Sequence, residues 1–263
     1  MVAEEARIAP HTRTRFVLPF PPLHQMTTPL LNFTDLGQMA YADAYARQAA
    51  TVDEVLAWRE SSGPVGRIFL VEHPAVVTVS RRPEARQHLI ASPQLLASHG
   101  VEVAETDRGG DITYHGPGQL VVYPIVDLNR LNLGLHEYMR LLEEAVINTC
   151  DEFGVATMRD PKATGVWTTH NGAPTSKICA MGVRVRRWVT MHGLAINVTT
   201  NLDHFNLIVP CGLVGRAVTS LQRECGPHTP SMDDVKRVLC VNLESLIADA
   251  KHKAEIARKS AAQ

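Results

Sequence analysis

Residues 108–119 read Arg-Gly-Gly-Asp-Ile-Thr-Tyr-His-Gly-Pro-Gly-Gln, with four glycines and a proline set among side chains that hydrogen-bond or carry charge. Glycine lets a backbone approach a ligand closely and take positive φ. The composition disfavours both a helix and a central strand, and ordered loops of this kind commonly carry function. Cys211 stands in Val-Pro-Cys-Gly-Leu, where the flanking proline and glycine predict an irregular, accessible loop. A lone cysteine is ordinarily a core residue, and Cys150, Cys179, Cys225 and Cys240 read that way. A thiolate is a strong nucleophile. Lys177 lies 34 residues before Cys211 and opens the run Lys-Ile-Cys-Ala-Met-Gly. An ammonium near a thiol favours the thiolate, and a desolvated lysine can serve as a base. His115 and His192 each open a His-Gly pair and read either as turn histidines or as cleft groups.

These residues need elements to position them. Tyr41, Tyr45, Gln48, Val52 and Leu56 recur at helical spacing and predict a helix over 38–60, ended by Gly63-Pro64. Residues 67–72 and 75–79 read as two short strands separated by a turn at His73-Pro74. Ser92 followed by Pro93 predicts the start of a short helix over 93–99, and 101–105 reads as a strand. After the glycine loop, 120–126 is a strongly apolar strand. Leu135, Met139, Leu142, Val146 and Phe153 mark an amphipathic helix. Residues 155–198 alternate between strand-like runs and turns, with Asn171-Gly172 as a hairpin turn. Residues 233–258 read as helix. The pattern is α+β: one domain, a mixed sheet with packed helices. Residues 1–27 read as a flexible extension, 28–250 as the catalytic domain and 251–263 as a C-terminal tail.

Composition narrows the function classes. A net charge of −1 exerts no global pull toward nucleic acid or an anionic membrane, and neither is expected as a partner. Five cysteines with no CxxC pair argue against a zinc ribbon, a thioredoxin-type site or a disulfide framework, and for a reduced, cytoplasmic setting. Twelve histidines without HExxH spacing give no metal site. No apolar run approaches the ~18 residues that span a bilayer, and the first residues lack the pattern of a secretory signal. Basic clusters occur at Arg81-Arg82 and at residues 184–187.

The 108–119 run resembles the signature of the octanoyltransferase family, within the wider biotin/lipoate protein ligase fold. Four further blocks are similar in order and spacing: Leu-Val-Glu-His-Pro through Arg81-Arg82, the segment from Lys177 to Arg187, His192-Gly-Leu-Ala-Ile-Asn-Val, and Pro210-Cys-Gly-Leu. The likeness covers roughly residues 33–225. Ser80 departs from it, since the family usually has glycine there.

The resemblance implies a specific chemistry. Cys211 would attack the octanoyl thioester carried on the phosphopantetheine of acyl carrier protein and form an acyl-enzyme. Lys177 would favour the Cys211 thiolate and deprotonate the target lysine of an apo lipoyl domain. Those domains belong to 2-oxoacid dehydrogenase complexes and the glycine cleavage H protein. No ATP, metal or other cofactor is implied. Arg108, Gly109, Gly110, Asp111, Ile112, Thr113, Tyr114 and His115 would contact substrate. So would Ala180, Met181, Gly182, Gly193, Leu194 and Ala195, whose small size suits either a narrow tunnel or tight strand packing. His192 and Arg81 would support the acyl pocket. Backbone N–H groups of the glycine loop or Gly212 are candidate oxyanion donors, and the arginines at 81, 82, 184, 186 and 187 could steer acidic carrier domains. Three other readings compete: an ATP-dependent lipoate–protein ligase, an amidotransferase between lipoyl-domain proteins, and a non-catalytic lipoyl-domain binder.

Overall fold

The computed structural model of the protein describes residues 29–60, 63–209 and 216–261; Cys211 with its neighbours Pro210, Gly212 and Leu213, and the extension 1–27, lie outside the described residues. The centre of the fold is β6 (Gln119–Val126), all eight residues of which are buried. That is why its sequence reads as a nearly continuous apolar run rather than an alternation. Leu120 and Val122 face one layer, with Tyr138, Leu142 and Val146 of α4 (Leu135–Glu152) and Leu239, Leu243 and Ile247 of α6 (Met232–Ala261). Val121, Tyr123 and Ile125 face the other, with Ala44, Val52 and Val55 of α1 (Tyr41–Ala57).

The large sheet has seven strands in the order β1-β2-β6-β10-β9-β8-β7. Here β1 is Leu31–Gln38, β2 Gly66–Glu72, β7 Thr157–Asp160, β8 Ala163–His170, β9 Ala173–Arg186 and β10 Val189–Asn197. β1 runs parallel to β2 and the remaining pairings are antiparallel. The mixed sheet with packed helices is the α+β architecture the sequence predicts. A second sheet of three strands, β4-β3-β5, stands beside it. Its strands are β3 (Val76–Ser80), β4 (Glu102–Thr106) and β5 (Ile112–His115).

Several elements depart from the sequence-based expectation. β1 is not anticipated: its residues Asn-Phe-Thr-Asp lack clean alternation because it is an edge strand, mostly half-buried. α1 begins at Tyr41, not 38, since β1 occupies the residues before it. β2 and β3 do not pair with each other; the turn at His73-Pro74 carries the chain from the large sheet to the small one. α6 continues past 250 to Ala261 with Ala254 buried, so the stretch taken as a tail is helical through 261. Ser92 caps α2 (Pro93–Ser98) as predicted, accepting from Leu95 N at 3.2 Å. Among the described residues no helix is long and apolar enough to cross a membrane.

Two hairpins frame β9. Asn171-Gly172, at φ 51° and 75°, joins β8 to β9 in the predicted tight turn. Arg187-Trp188, at φ 51° and 67°, makes the equivalent turn into β10 with residues that disfavour it. Arg59 holds it by donating to Arg187 O at 2.5 Å while its guanidinium pairs with the buried Asp127 at 2.6 Å.

Candidate active site

A cleft of about 470 Å³ opens where the two sheets meet, between the glycine loop, β9, β10 and the start of α4. The loop is fastened by Gly109 N, which donates to Val183 O at 2.9 Å. Arg108 reaches across it, donating to Gly109 O at 3.1 Å and to Thr78 Oγ1 at 3.2 Å. Strand alternation then divides the motif. Thr113 and His115 line the cleft, whereas Ile112 and Tyr114 turn into the core of the small sheet. The Tyr114 hydroxyl meets His204 Nδ1 at 2.8 Å. Asp111 also lies off the cleft, its Oδ2 2.5 Å from His88 Nδ1. Arg108, Gly109 and Gly110 line the cleft, and Arg82 does so in place of Arg81. Ser80, at the position usually glycine, is not among the residues with positive φ, so a side chain fits without strain; its Oγ accepts from Arg82 N at 3.4 Å.

Ala180, Met181 and Gly182 of β9 and Gly193, Leu194 and Ala195 of β10 form the opposite wall. The two glycines answer to packing. A Cβ on Gly182 would lie 2.4 Å from Gly109 O, and one on Gly193 would lie 2.3 Å from Val122 O. Both are there so that neighbouring backbones can approach closely. The glycine loop's N–H groups are partly committed as well: Gly109 N to Val183 O, and Gly118 N to the Glu72 carboxylate at 3.0 Å. Those two donors are therefore not available to an oxyanion.

One end of the cleft is built from buried, neutral rings. His115 Nδ1 donates to Gln119 Oε1 at 2.7 Å, Gln119 Nε2 donates to Asn197 Oδ1 at 2.9 Å, and Asn197 Nδ2 donates to Thr219 O at 2.9 Å. This chain fixes the His115 tautomer with its Nε2 lone pair unprotonated. Burial, with the neighbouring His73 second, pushes the His115 pKa down to about 3, so the ring is neutral near pH 7. His73 is likewise lowered by burial; its Nε2 accepts from Tyr123 OH at 2.8 Å and its Nδ1 donates to Met39 O at 2.7 Å. His192 lines the same end from a left-handed backbone position, φ 59°, inside β10. Such a conformation in a buried strand residue stores strain that the surroundings must hold. Here Gln48 Oε1 accepts from His192 N at 2.8 Å, and Asp107 Oδ1 accepts from His192 Nε2 at 2.9 Å. Burial lowers the His192 pKa against the opposing pull of Asp107.

Asp107 was not singled out in the sequence, yet it is a hub. It accepts from His192, from Tyr45 OH at 2.9 Å and from Arg184. Burial resists its ionisation, but these donors hold its carboxyl below the usual range. No local signal marks it, because its partners are 62 to 85 residues away. Arg184, still partly exposed, is thus tied into an ion pair with the largely buried Asp107. The remaining arginine of that strand, Arg186, is exposed and 3.8 Å from Asp53.

Lys177 lines the other end. The pairing of β8 with β9 slips here: Val166 faces Cys179 while Trp167 faces Lys177, which leaves Ile178 as an extra residue. Ile178 and Cys179 are consecutively buried in one core, as only a bulge allows, and the bulge re-aims Lys177. Lys177 Nζ donates to Thr164 O at 3.1 Å and lies 4.7 Å from the centre of the Trp167 ring. Its backbone also receives the chain that follows Cys211: Lys177 N donates to Ala217 O at 2.9 Å, and Thr219 N donates to Lys177 O at 3.0 Å. The four described thiols are poor nucleophiles. Burial raises the pKa of Cys150 and Cys240 to about 12, and raises those of Cys179 and Cys225 as well.

Comparison with known proteins bears on the family and the fold. Residues 43–244 match the family described as the lipoyl protein ligase A/B catalytic domain. The chain is 48% identical to an octanoyltransferase of Acidobacterium capsulatum over 204 residues, 74% of this chain and 80% of that protein. It is 46% identical to an octanoyltransferase of Bacteroides fragilis over 207 residues, 78% and 93% of the two chains. Among solved structures, a bi-partite lipoate protein ligase of Thermoplasma acidophilum, studied with its E2 lipoyl domain, gives a TM-score of 0.59 at 18% identity, covering 87% of this chain and 93% of that one. Lipoate-protein ligase A bound with ATP gives 0.58 at 16% identity, covering 86% and 95%. At these identities the structural likeness establishes the fold.

Proposed function

The chain belongs to the octanoyltransferases of the lipoyl protein ligase A/B catalytic domain family and is an acyltransferase, and from that premise we propose that it moves octanoyl from acyl carrier protein to lipoyl-domain lysines through a Cys211 thioester. The Cys211 thiolate attacks the thioester carbonyl, the C–S bond to the pantetheine breaks, and the pantetheine thiolate leaves with a proton from the Lys177 ammonium, which becomes the neutral amine. The target lysine amine of an apo lipoyl domain then attacks the octanoyl-cysteine carbonyl. The new C–N bond forms as the bond to Cys211 Sγ breaks. The neutral Lys177 amine takes the proton that the attacking amine sheds, and Cys211 leaves as the thiolate, which restores the starting ammonium–thiolate pair. The acceptors are the apo lipoyl domains of 2-oxoacid dehydrogenase complexes and the glycine cleavage H protein, in a reduced, cytoplasmic setting.

The observation that carries this reading is the double role of Lys177. Its ammonium lines the cleft, and its backbone pairs with residues 217–219, which begin six residues after Cys211. Six residues of chain span at most about 20 Å, a reach that allows Cys211 to meet Lys177 in this reading. Thioester to amide is downhill, so the reaction needs no ATP, and in this reading no metal or other cofactor takes part. The neutral, ring-lined end suits an alkyl chain, where each methylene contributes roughly 0.8 kcal/mol on burial. Arg108, Thr113, His115, Ala180, Met181, Gly182, His192, Gly193, Leu194 and Ala195 line the cleft as a whole. Asp111, Ile112, Tyr114 and Arg81 act, in this reading, by supporting the wall rather than by touching substrate.

Donor competition tests it. An apo lipoyl domain is offered octanoyl-acyl carrier protein alone, octanoyl-H protein alone, or free octanoate with ATP. Modification from the carrier thioester without ATP is expected. Modification only from octanoate with ATP would make the protein a ligase, and modification only from octanoyl-H protein would make it an amidotransferase.

A further inference from the structure

The peptide unit joining Thr164 to Gly165 has both of its polar ends occupied. Its carbonyl accepts from Lys177 Nζ at 3.1 Å. Its N–H, on Gly165, donates to Glu143 Oε1 at 3.2 Å. Glu143 is 2% exposed on α4, and its other oxygen is held by Arg140 at 2.6 Å and Arg159 at 3.1 Å. A buried carboxylate at the N–H end of a peptide strengthens the negative end of that dipole, the carbonyl facing the ammonium. The arrangement requires glycine: Gly165 has φ 119°, and a Cβ there would sit 2.5 Å from Cys179 O and 3.5 Å from Lys177 Cε. Gly165 immediately precedes Val166, where the β8–β9 register slips.

We propose that Glu143 is a positioning residue for Lys177, acting through the Thr164–Gly165 peptide. The carboxylate, clamped by two arginines, fixes the orientation of that peptide. The peptide carbonyl then holds the ammonium against the Trp167 ring and inside the cleft. Glu143 itself touches neither substrate nor the reacting atoms. The inference rests on the reading of Lys177 as the proton-transfer group, and its test separates the two.

The direct readout is the NMR shift of the Lys177 ε-methylene protons, which the Trp167 ring current moves upfield. In wild type the shift is expected to be displaced from its random-coil value. In Glu143→Gln, which keeps an acceptor for the Gly165 N–H, most of the displacement should persist. In Glu143→Leu or, should that variant fail to fold, in Gly165→Ala, the shift should return toward random coil. In steady state those latter variants should lose at least tenfold in kcat with less than a twofold change in the KM for the lipoyl domain, and Glu143→Gln should recover to within threefold of wild type. An unmoved Lys177 shift and an unchanged kcat in folded Glu143→Leu or Gly165→Ala would overturn the proposal. A Lys177→Met variant with full activity would instead overturn the role of Lys177 while leaving the shift experiment to judge the positioning.

Discussion

The two ends of the cleft are built on opposite electrostatic plans. At one end stand His73, His115, His192, Tyr41 and Tyr123, buried rings kept neutral by desolvation; His73 bonds Tyr123, and the others bond Gln119, Asp107 and Thr106 at 2.7–2.9 Å. At the other end the charges are kept and paired: Lys177 against Thr164 O and Trp167, Arg216 3.9 Å from the centre of the same ring and 2.6 Å from Asp160, and Glu143 between two arginines. Neutral rings can pack against an alkyl chain, and a lysine can move a proton. The contrast teaches that burial and pairing set which side chains of the cleft stay neutral and which keep a charge.

The sharpest way to break this comparison is at the charged end. Lys177→Met should lower kcat by about 10²- to 10⁴-fold, the range of a lost general base, with the KM for the lipoyl domain nearly unchanged. Equal losses in the neutral end's polar network, for example in Gln119→Leu, would erase the distinction between the ends. Next in size is the wall between them. Gly193→Ala places a Cβ 2.3 Å from Val122 O and 2.6 Å from Pro124 Cδ. It should cost about 1–3 kcal/mol of stability as an overpacked site, read as a drop in urea midpoint.

The neutral end makes a pH prediction whose sign follows from its depressed pKa values. His115 titrates near 6.5 when unfolded and at about 3 when folded. Its contribution to stability is fully present above about pH 6.5 and is lost as pH falls toward 3. His73 and His192 shift in the same direction. Urea midpoints should therefore decline from pH 7 to pH 4, and His115→Gln should flatten part of the decline. A His115→Gln profile parallel to wild type would mean that folding does not shift the His115 pKa. The smallest effect is expected at the β9–β10 hairpin. Trp188→Gly relieves a left-handed tryptophan at φ 67°, and should stabilise by about 0.5–1 kcal/mol once glycine's own entropy cost is subtracted. Activity should not change.

What the sequence disclosed follows from what is local. β6 is legible because burial on both faces leaves an uninterrupted apolar run, and Asn171-Gly172 because a tight hairpin asks for those two residues. The glycine loop announced a site, but it did not announce which side chains face it. That depends on β5 alternation, which sends Thr113 and His115 one way and Ile112 and Tyr114 the other. Asp107 and Glu143 stayed hidden for a different reason. Each gains its role from partners far along the chain or from a backbone N–H, and neither leaves a pattern in sequence. The bulge at Ile178 is similarly silent, since one extra residue in a strand looks like any other.

The central claim is the acyl-enzyme on Cys211, and intact-mass spectrometry tests it most directly. The full chain, as wild type and as Cys211→Ala, is incubated with octanoyl-acyl carrier protein and no ATP. The account predicts a mass gain of one octanoyl group in wild type that hydroxylamine removes, and no gain in Cys211→Ala. An equal gain in both proteins, or none in either while lipoyl domains are still octanoylated, would contradict it.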